Sequence, residues 1–198
     1  MLVVLTPPPE DALVPLDEAK AELGIEGTGQ DGRVRRMVAA ASGALAQFCN
    51  RPEGFGRAEV QETFTVRSPC ARLLLHRDLE PEVLSVHEGG ALLPPSLYAL
   101  DGARLWRLDA EGGRSAWAGD AMVRYRAGFA LPTGAPALLA EACLSMVAAA
   151  HRERGRDPGV RSERTEGVGQ TDYFAARDVP ADPAVEAAVA RYRRVGFV

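Results

Sequence analysis

Proton transfer near neutral pH and most transition-metal binding rely on histidine, and this chain offers three: His76, His87 and His151. They are far apart in sequence, and none has a second histidine, a cysteine or a carboxylate at a spacing that specifies a metal. No metal site is expected. Nucleophilic catalysis would need an activated serine, but Ser42-Gly43 and Ser145 fall within helical faces and no G-x-S-x-G elbow is present. Cys49, Cys70 and Cys143 are odd in number and lack CxxC spacing, which argues against a disulfide framework or a zinc site. Cys49 and Cys143 lie on apolar helical faces, where a free thiol packs as a small hydrophobe.

Gly24, Gly27, Gly29 and Gly32 make a glycine-rich join of the sort that cradles phosphates. A P-loop needs a lysine followed by Ser or Thr, and a dinucleotide fingerprint needs a strand before it; here a helix precedes and Arg33-Val34 follow. Acidic neighbours such as Asp17 with Glu18, or Glu80 with Glu82, read as solvated surface charge. The chain is therefore read as non-enzymatic, with no catalytic residue, no cofactor-binding residue and no cofactor.

Length and composition agree with a binding role. The 198 residues suit one ordinary domain, or a helical body carrying a smaller module, and 46% hydrophobic with 25% charged residues is a folded, soluble balance. A formal net charge of −4 disfavours a general pull toward nucleic acid. Lys20 is the single lysine; arginine supplies the remaining positive charge, reads first as a GC-rich coding bias, and suits bidentate contacts at protein interfaces. The apolar opening 1–5 meets Pro7-Pro8-Pro9 at once, too short for a signal peptide or span, and the apolar helix 138–150 is interrupted by Glu141. No membrane partner is expected, and synthesis is expected in the bacterial cytoplasm.

The elements that would position any surface follow from periodicity. Leu16, Ala19 and Leu23 recur at helical spacing with Asp17 and Glu18 in the first turn, predicting a helix over 16–23 that Gly24 ends. A second helix, 31–50, has Asp31 as its cap and a stripe of Val34, Met37, Val38, Ala41, Leu45 and Phe48; Arg51-Pro52 stops it. Between 58 and 129 the period changes to two, starting with Val60, Glu62, Phe64 and Val66 on one face. Strands are predicted at 72–75, 83–87, 97–100, 104–108 and 122–125, with Asp101-Gly102 as a hairpin signal, giving a small antiparallel sheet module. Helix returns over 138–150, with Pro136 in its first turn and Leu138, Leu139, Ala142, Cys143, Met146, Val147 and Ala150 on its apolar face. Residues 156–180 are polar and glycine-rich, which predicts an arm or binding loop. Asp182 caps and Pro183 opens a last helix, with Val185, Val189 and Tyr192 on one face, before the tail Arg193-Arg194-Val195-Gly196-Phe197-Val198.

In this order the features resemble the head-tail connector, or adaptor, family of long-tailed phages, including its relatives in gene transfer agents. Leu16-Asp17-Glu18-Ala19-Lys20-Ala21-Glu22-Leu23 is similar to the family's "L-x-E-A-K-x-x-L" helix, with Pro15 where a Ser or Thr cap is more usual. Ala39-Ala40-Ala41-Ser42 and Phe48-Cys49-Asn50-Arg51-Pro52 resemble its second helix and aromatic-Cys-x-Arg ending. Val123-Arg124-Tyr125-Arg126-Ala127-Gly128-Phe129, then Pro132 and Pro136-Ala137-Leu138, resemble the "V-x-Y-x-A-G-aromatic" strand and the third helix. Ser162-Glu163-Arg164-Thr165-Glu166-Gly167-Val168-Gly169 and Tyr173 are similar to its polar arm.

The resemblance implies an α+β fold over 1–198: a four-helix-type helical body (12–55 and 133–198) with an inserted small antiparallel β module (58–129). It implies a homo-oligomeric ring of twelve copies at the capsid-tail junction of a virion, between a portal protein and a stopper or other tail-proximal protein. DNA would pass through without sequence-specific binding. On this reading the mobile, basic and finally apolar end, Tyr192, Arg193, Arg194 and Phe197, docks on the portal, and Ser162, Glu163, Arg164 and Tyr173 belong to an arm between neighbouring subunits that orders on assembly. The rivals are another tail-completion protein, a stopper or terminator with more β structure; a small enzyme using one of the histidines; and a DNA-binding regulator presenting Arg33, Arg35 and Arg36.

Overall fold

A computed structural model describes residues 1–152, 162–165, 169–172 and 182–194. The chain divides into two compact units, each made from two separate stretches: Met1–Glu10 with Phe55–Leu131, and Asp11–Gly54 with Pro132–Val198. Helices and antiparallel sheets make the fold α+β.

The strand unit holds β1 (Leu2–Thr6), β2 (Ala58–Phe64), β3 (Arg72–Leu74), β4 (Glu82–Glu88), β5 (Ala91–Leu93), β6 (Tyr98–Asp101), β7 (Arg104–Leu108), β8 (Arg114–Ser115) and β9 (Ala121–Ala127). One sheet runs β1-β2-β9-β4-β5; a second runs β3-β7-β6 with β8 beside β7. Alternation explains the large sheet. Val60, Val86, Val123 and Tyr125 turn into the core, while Arg124 and Arg126 turn outward onto Glu59. Leu73 and Leu105 of the smaller sheet, with Leu75 and Trp117 just beyond its strands, complete that core, and the Trp117 indole N–H donates to the Leu105 carbonyl at 3.2 Å. The hairpin predicted at Asp101-Gly102 is present: Asp101 pairs with Arg104 and Gly102 has φ +56°.

Three strands depart from the periodicity reading. β1, β5 and β8 are short, and their side chains are mostly exposed, so no two-residue alternation marks them. β1 is an edge strand pairing with β2, and its Val3, Val4 and Leu5 are exposed.

The helical unit holds α1 (Leu16–Glu22), α2 (Asp31–Phe48), α3 (Ala137–Arg152) and α4 (Pro183–Tyr192). Pro15 itself occupies the cap position of α1 in an extended conformation, φ −64° and ψ 153°, its ring fixing φ. Asp31 does not cap α2. Gln30 holds that position, and the Asp31 carboxylate instead meets the Lys20 ammonium at 2.8 Å, which also donates to the Gly27 carbonyl at 2.5 Å. The glycine-rich join is thus closed by the chain's one lysine, the lysine of the E-A-K motif. Val34, Val38, Ala41 and Leu45 of α2 and Leu139, Ala142, Cys143 and Val147 of α3 are buried. Ser42 sits among them, its hydroxyl accepting the Leu13 N–H at 3.0 Å. Within the stretch predicted as an arm, β10 (Ser162–Thr165) and β11 (Gly169–Asp172) pair as an antiparallel hairpin, Ser162 opposite Asp172.

Candidate docking surfaces

The carboxy-terminal helix is fixed at both ends. At its start the Asp182 carboxylate accepts the Ala184 N–H at 2.8 Å and is also hydrogen-bonded by the Ser145 hydroxyl of α3. That Ser145 bond, followed by the cap amides, holds the Asp182 carboxyl below its ordinary range against the opposing effect of burial. Val185 and Ala188 are fully buried on the face that packs against α3.

At its far end α4 is stapled to the end of α2. Arg51 is almost wholly buried, and its Nε donates to the Tyr192 carbonyl at 2.7 Å. Asn50 takes a left-handed conformation, φ 53°, just past α2, and its amide donates to the Arg194 carbonyl at 3.2 Å. The Arg194 N–H returns to the Cys49 carbonyl at 2.8 Å, and its guanidinium pairs with Glu53. The Cys-Asn-Arg ending of α2 therefore has a physical role: each of the three residues holds the chain leaving α4.

This geometry sorts the residues singled out for docking. Arg194 is half-buried and engaged with Glu53, Tyr192 is half-buried, and Arg193 is exposed. Phe197 lies outside the described residues. Ser162, Glu163 and Arg164 fall on β10, where only the backbone is described, and Tyr173 lies outside the described residues. Cys49, Asn50 and Arg51 were visible in sequence as a helix ending, and Glu53 carried no signal of its own because a surface glutamate after a proline is common.

The histidines gather into no site: His76 lies just after β3, His87 on β4 and His151 on α3. Among the described residues, no group of three His, Cys, Asp or Glu side chains is placed to hold a metal, and no helix is long and apolar enough to cross a membrane. The nearest approach to a catalytic constellation is a polar node inside the strand unit. Tyr125 donates its hydroxyl to Glu62 at 2.8 Å and accepts the Arg77 N–H at 3.2 Å, while Glu62 also accepts the His76 N–H at 3.0 Å. Burial, opposed by the Arg77 amide and reinforced by Glu62, pushes the Tyr125 hydroxyl far up, so it stays protonated as a donor. The node pins β2, β9 and the segment following β3 together.

No protein-family model and no curated protein sequence matches the chain. Solved structures do. A chain of the neck of an empty GTA particle computed with C6 symmetry is 18% identical, with a TM-score of 0.57. A chain of the virion of a native gene transfer agent (GTA) particle is 17% identical with a TM-score of 0.56, and one of the neck of a native GTA particle computed with C12 symmetry is 18% identical with a TM-score of 0.54. In each case 100% of this chain and 97% of the other are covered. The likeness therefore extends over both units and the whole length: the chain shares its fold with chains of gene transfer agent particles.

Proposed function

We propose that this chain is a head-tail connector subunit, the adaptor of a phage or gene transfer agent particle, which forms a ring joining the portal to the tail through which DNA passes. The observation that carries the reading is the end-to-end fold likeness to chains of particle necks and of a virion. The motif order over 16–52 and 123–138 supports it independently, because the structure gives Lys20, Asn50, Arg51 and Gly128 specific jobs in the fold. A closed ring needs a head-to-tail interface between identical subunits, and twelve copies accord with the C12 symmetry applied to one of the matching necks. The chain acts by gripping copies of itself, the portal and a stopper or tail-proximal protein, without catalysis.

Within this reading the tail beyond Arg194 reaches the portal. Arg51, Asn50 and Glu53 anchor the chain through Tyr192 and Arg194, and Arg193 between them is exposed. The arm with Ser162, Glu163, Arg164 and Tyr173 reaches a neighbouring subunit. Deleting the gene from the producing host tests the main claim: DNA-filled heads without tails are expected, and complete tailed particles lacking this polypeptide would refute it. Removing residues 195–198 tests the portal contact, since co-sedimentation with portal rings should be lost while the fold is kept.

A further inference from the structure

Three arginines on one face of the smaller sheet have no salt bridge among the described residues, and two of them lie over the same indole. Leu105 of β7 turns into the core, so the two-residue pleat sends Arg104 and Trp106 to the opposite face. Strand register brings Arg72 opposite Trp106, Leu74 opposite Arg104, and Arg114 opposite Leu108. The Arg114 guanidinium carbon stands 3.8 Å from the Trp106 ring centroid and that of Arg72 stands 5.7 Å away. Arg72, Arg104 and Arg114 are all exposed. By contrast Arg57, Arg107, Arg124 and Arg126 of the same unit each pair with a glutamate.

This face is short of acceptors. The Trp106 Nε1 is shielded from solvent with no hydrogen-bond partner among the described residues, and Asp101, opposite Arg104, is the only carboxylate on these strand positions. A guanidinium held over an indole keeps its N–H edge free and has already lost much of its side-chain freedom, so it binds a carboxylate at low entropic cost.

The chain also carries a matching surface. On α1, Asp17, Glu18 and Glu22 are exposed and form no salt bridge among the described residues, and Lys20, the helix's one cation, is taken up by Asp31. Glu18 and Glu22 stand one turn apart on the same side. A ring built head to tail requires two different, complementary patches on every subunit. We infer that the Arg72, Arg104, Trp106 and Arg114 face of one subunit receives the α1 carboxylates of the next copy, an interface that rests on the ring reading above. Phosphate is the weaker fit. Three guanidinium groups on a chain of net charge −4 are few for tracking a nucleic-acid backbone.

The test is sedimentation of the full-length chain in three forms: wild type, the face variant Arg72→Glu/Arg104→Glu/Arg114→Glu, and the helix variant Glu18→Arg/Glu22→Arg, each checked for fold by circular dichroism. Wild type should form multimers that dissociate as salt is raised; each variant alone should be monomeric. An equimolar mixture of the two variants should regain multimers, because the reversed face of one meets the reversed helix of the other. Multimers in either variant alone, a mixture that stays monomeric, or a monomeric wild type overturns the interface. So does a face variant that keeps its multimers while losing binding to duplex DNA, which would identify a phosphate surface. Chemical cross-linking of purified particles separates the two claims. A ladder of this chain in particles beside unaffected variants sinks the contact alone, and particles that contain the chain without a ladder sink the ring.

Discussion

Gly128 runs so close to Gly56 that a Cβ at position 128 would lie 2.4 Å from the Gly56 carbonyl oxygen. Its φ of +107° is also one that L side chains rarely adopt. Both conditions follow from the end of β9 crossing beside residues 55–57, where Phe129 donates its N–H to the Phe55 carbonyl at 2.8 Å and its own carbonyl accepts the Arg57 N–H at 2.8 Å. The glycine of the Y-x-A-G-F motif is required by this crossing.

Gly128→Ala should therefore destabilise the fold by more than the about 1–3 kcal/mol typical of overpacking, since backbone strain adds to the clash. Gly102→Ala, at φ +56° with open space around it, should lose only about 1–2 kcal/mol. Urea unfolding of both proteins checks the ranking, and equal stabilities would contradict the account.

Releasing the far end of α4 should depend on Arg51 more than on Glu53. Arg51→Ala removes a buried charged donor from the Tyr192 carbonyl and should cost about 1.5–3 kcal/mol. Glu53→Ala removes one partner of a partly exposed ion pair and should cost less. Amide exchange in 183–194 should quicken strongly in the first variant and slightly in the second.

Acid should loosen the start of the same helix. The Asp182 carboxyl is depressed in the folded chain, so its contribution is complete above its ordinary value of 3.8 and is lost as pH falls through the lower folded value. Asp182→Asn should flatten that acid limb of the stability curve, and Asp182→Ala should cost about 0.5–2 kcal/mol at neutral pH. A stability profile in acid identical for wild type and Asp182→Asn would exclude this role.

Thiol chemistry should be selective. Burial, partly offset by the Ser42 hydroxyl, pushes the Cys143 thiol up to about 11, and Cys49 is buried and raised as well. Only Cys70 is partly accessible. An alkylating reagent near pH 8 should add one label quickly, at Cys70, by peptide mass spectrometry; rapid labelling of Cys143 would show that α2 and α3 open readily.

Much of this architecture is legible from residue order because helical stripes and strand alternation report burial directly. The α2 stripe through Val34, Val38, Ala41 and Leu45, the Asp182-Pro183 start of α4 and the Asp101-Gly102 hairpin all stand where periodicity and turn chemistry put them. Tertiary pairing was not legible. Asp31 looks like a cap, but the Lys20 ammonium holds it more strongly than a backbone amide would, and Arg51 looks like a helix stop until its contact with Tyr192 is seen. The arginines around Trp106 escaped notice because strand register, which sequence spacing does not encode, brings Arg72 and Arg114 to that ring. Docking through Tyr192, Arg193, Arg194 and Phe197 remains a reading of sequence character, sharpened by the anchoring of Arg194.

The interleaving of the two units sets the order in which a nascent chain can finish folding. Every strand of the two larger sheets has been synthesised once Leu131 is made, and β1 has by then waited for a partner more than fifty residues downstream. Helices α1 and α2 wait longer, with Val34, Val38 and Leu45 uncovered until α3 arrives. Translation thus holds a greasy helical hairpin open while a neighbouring part is already complete, and that interval is where a chaperone would engage this polypeptide.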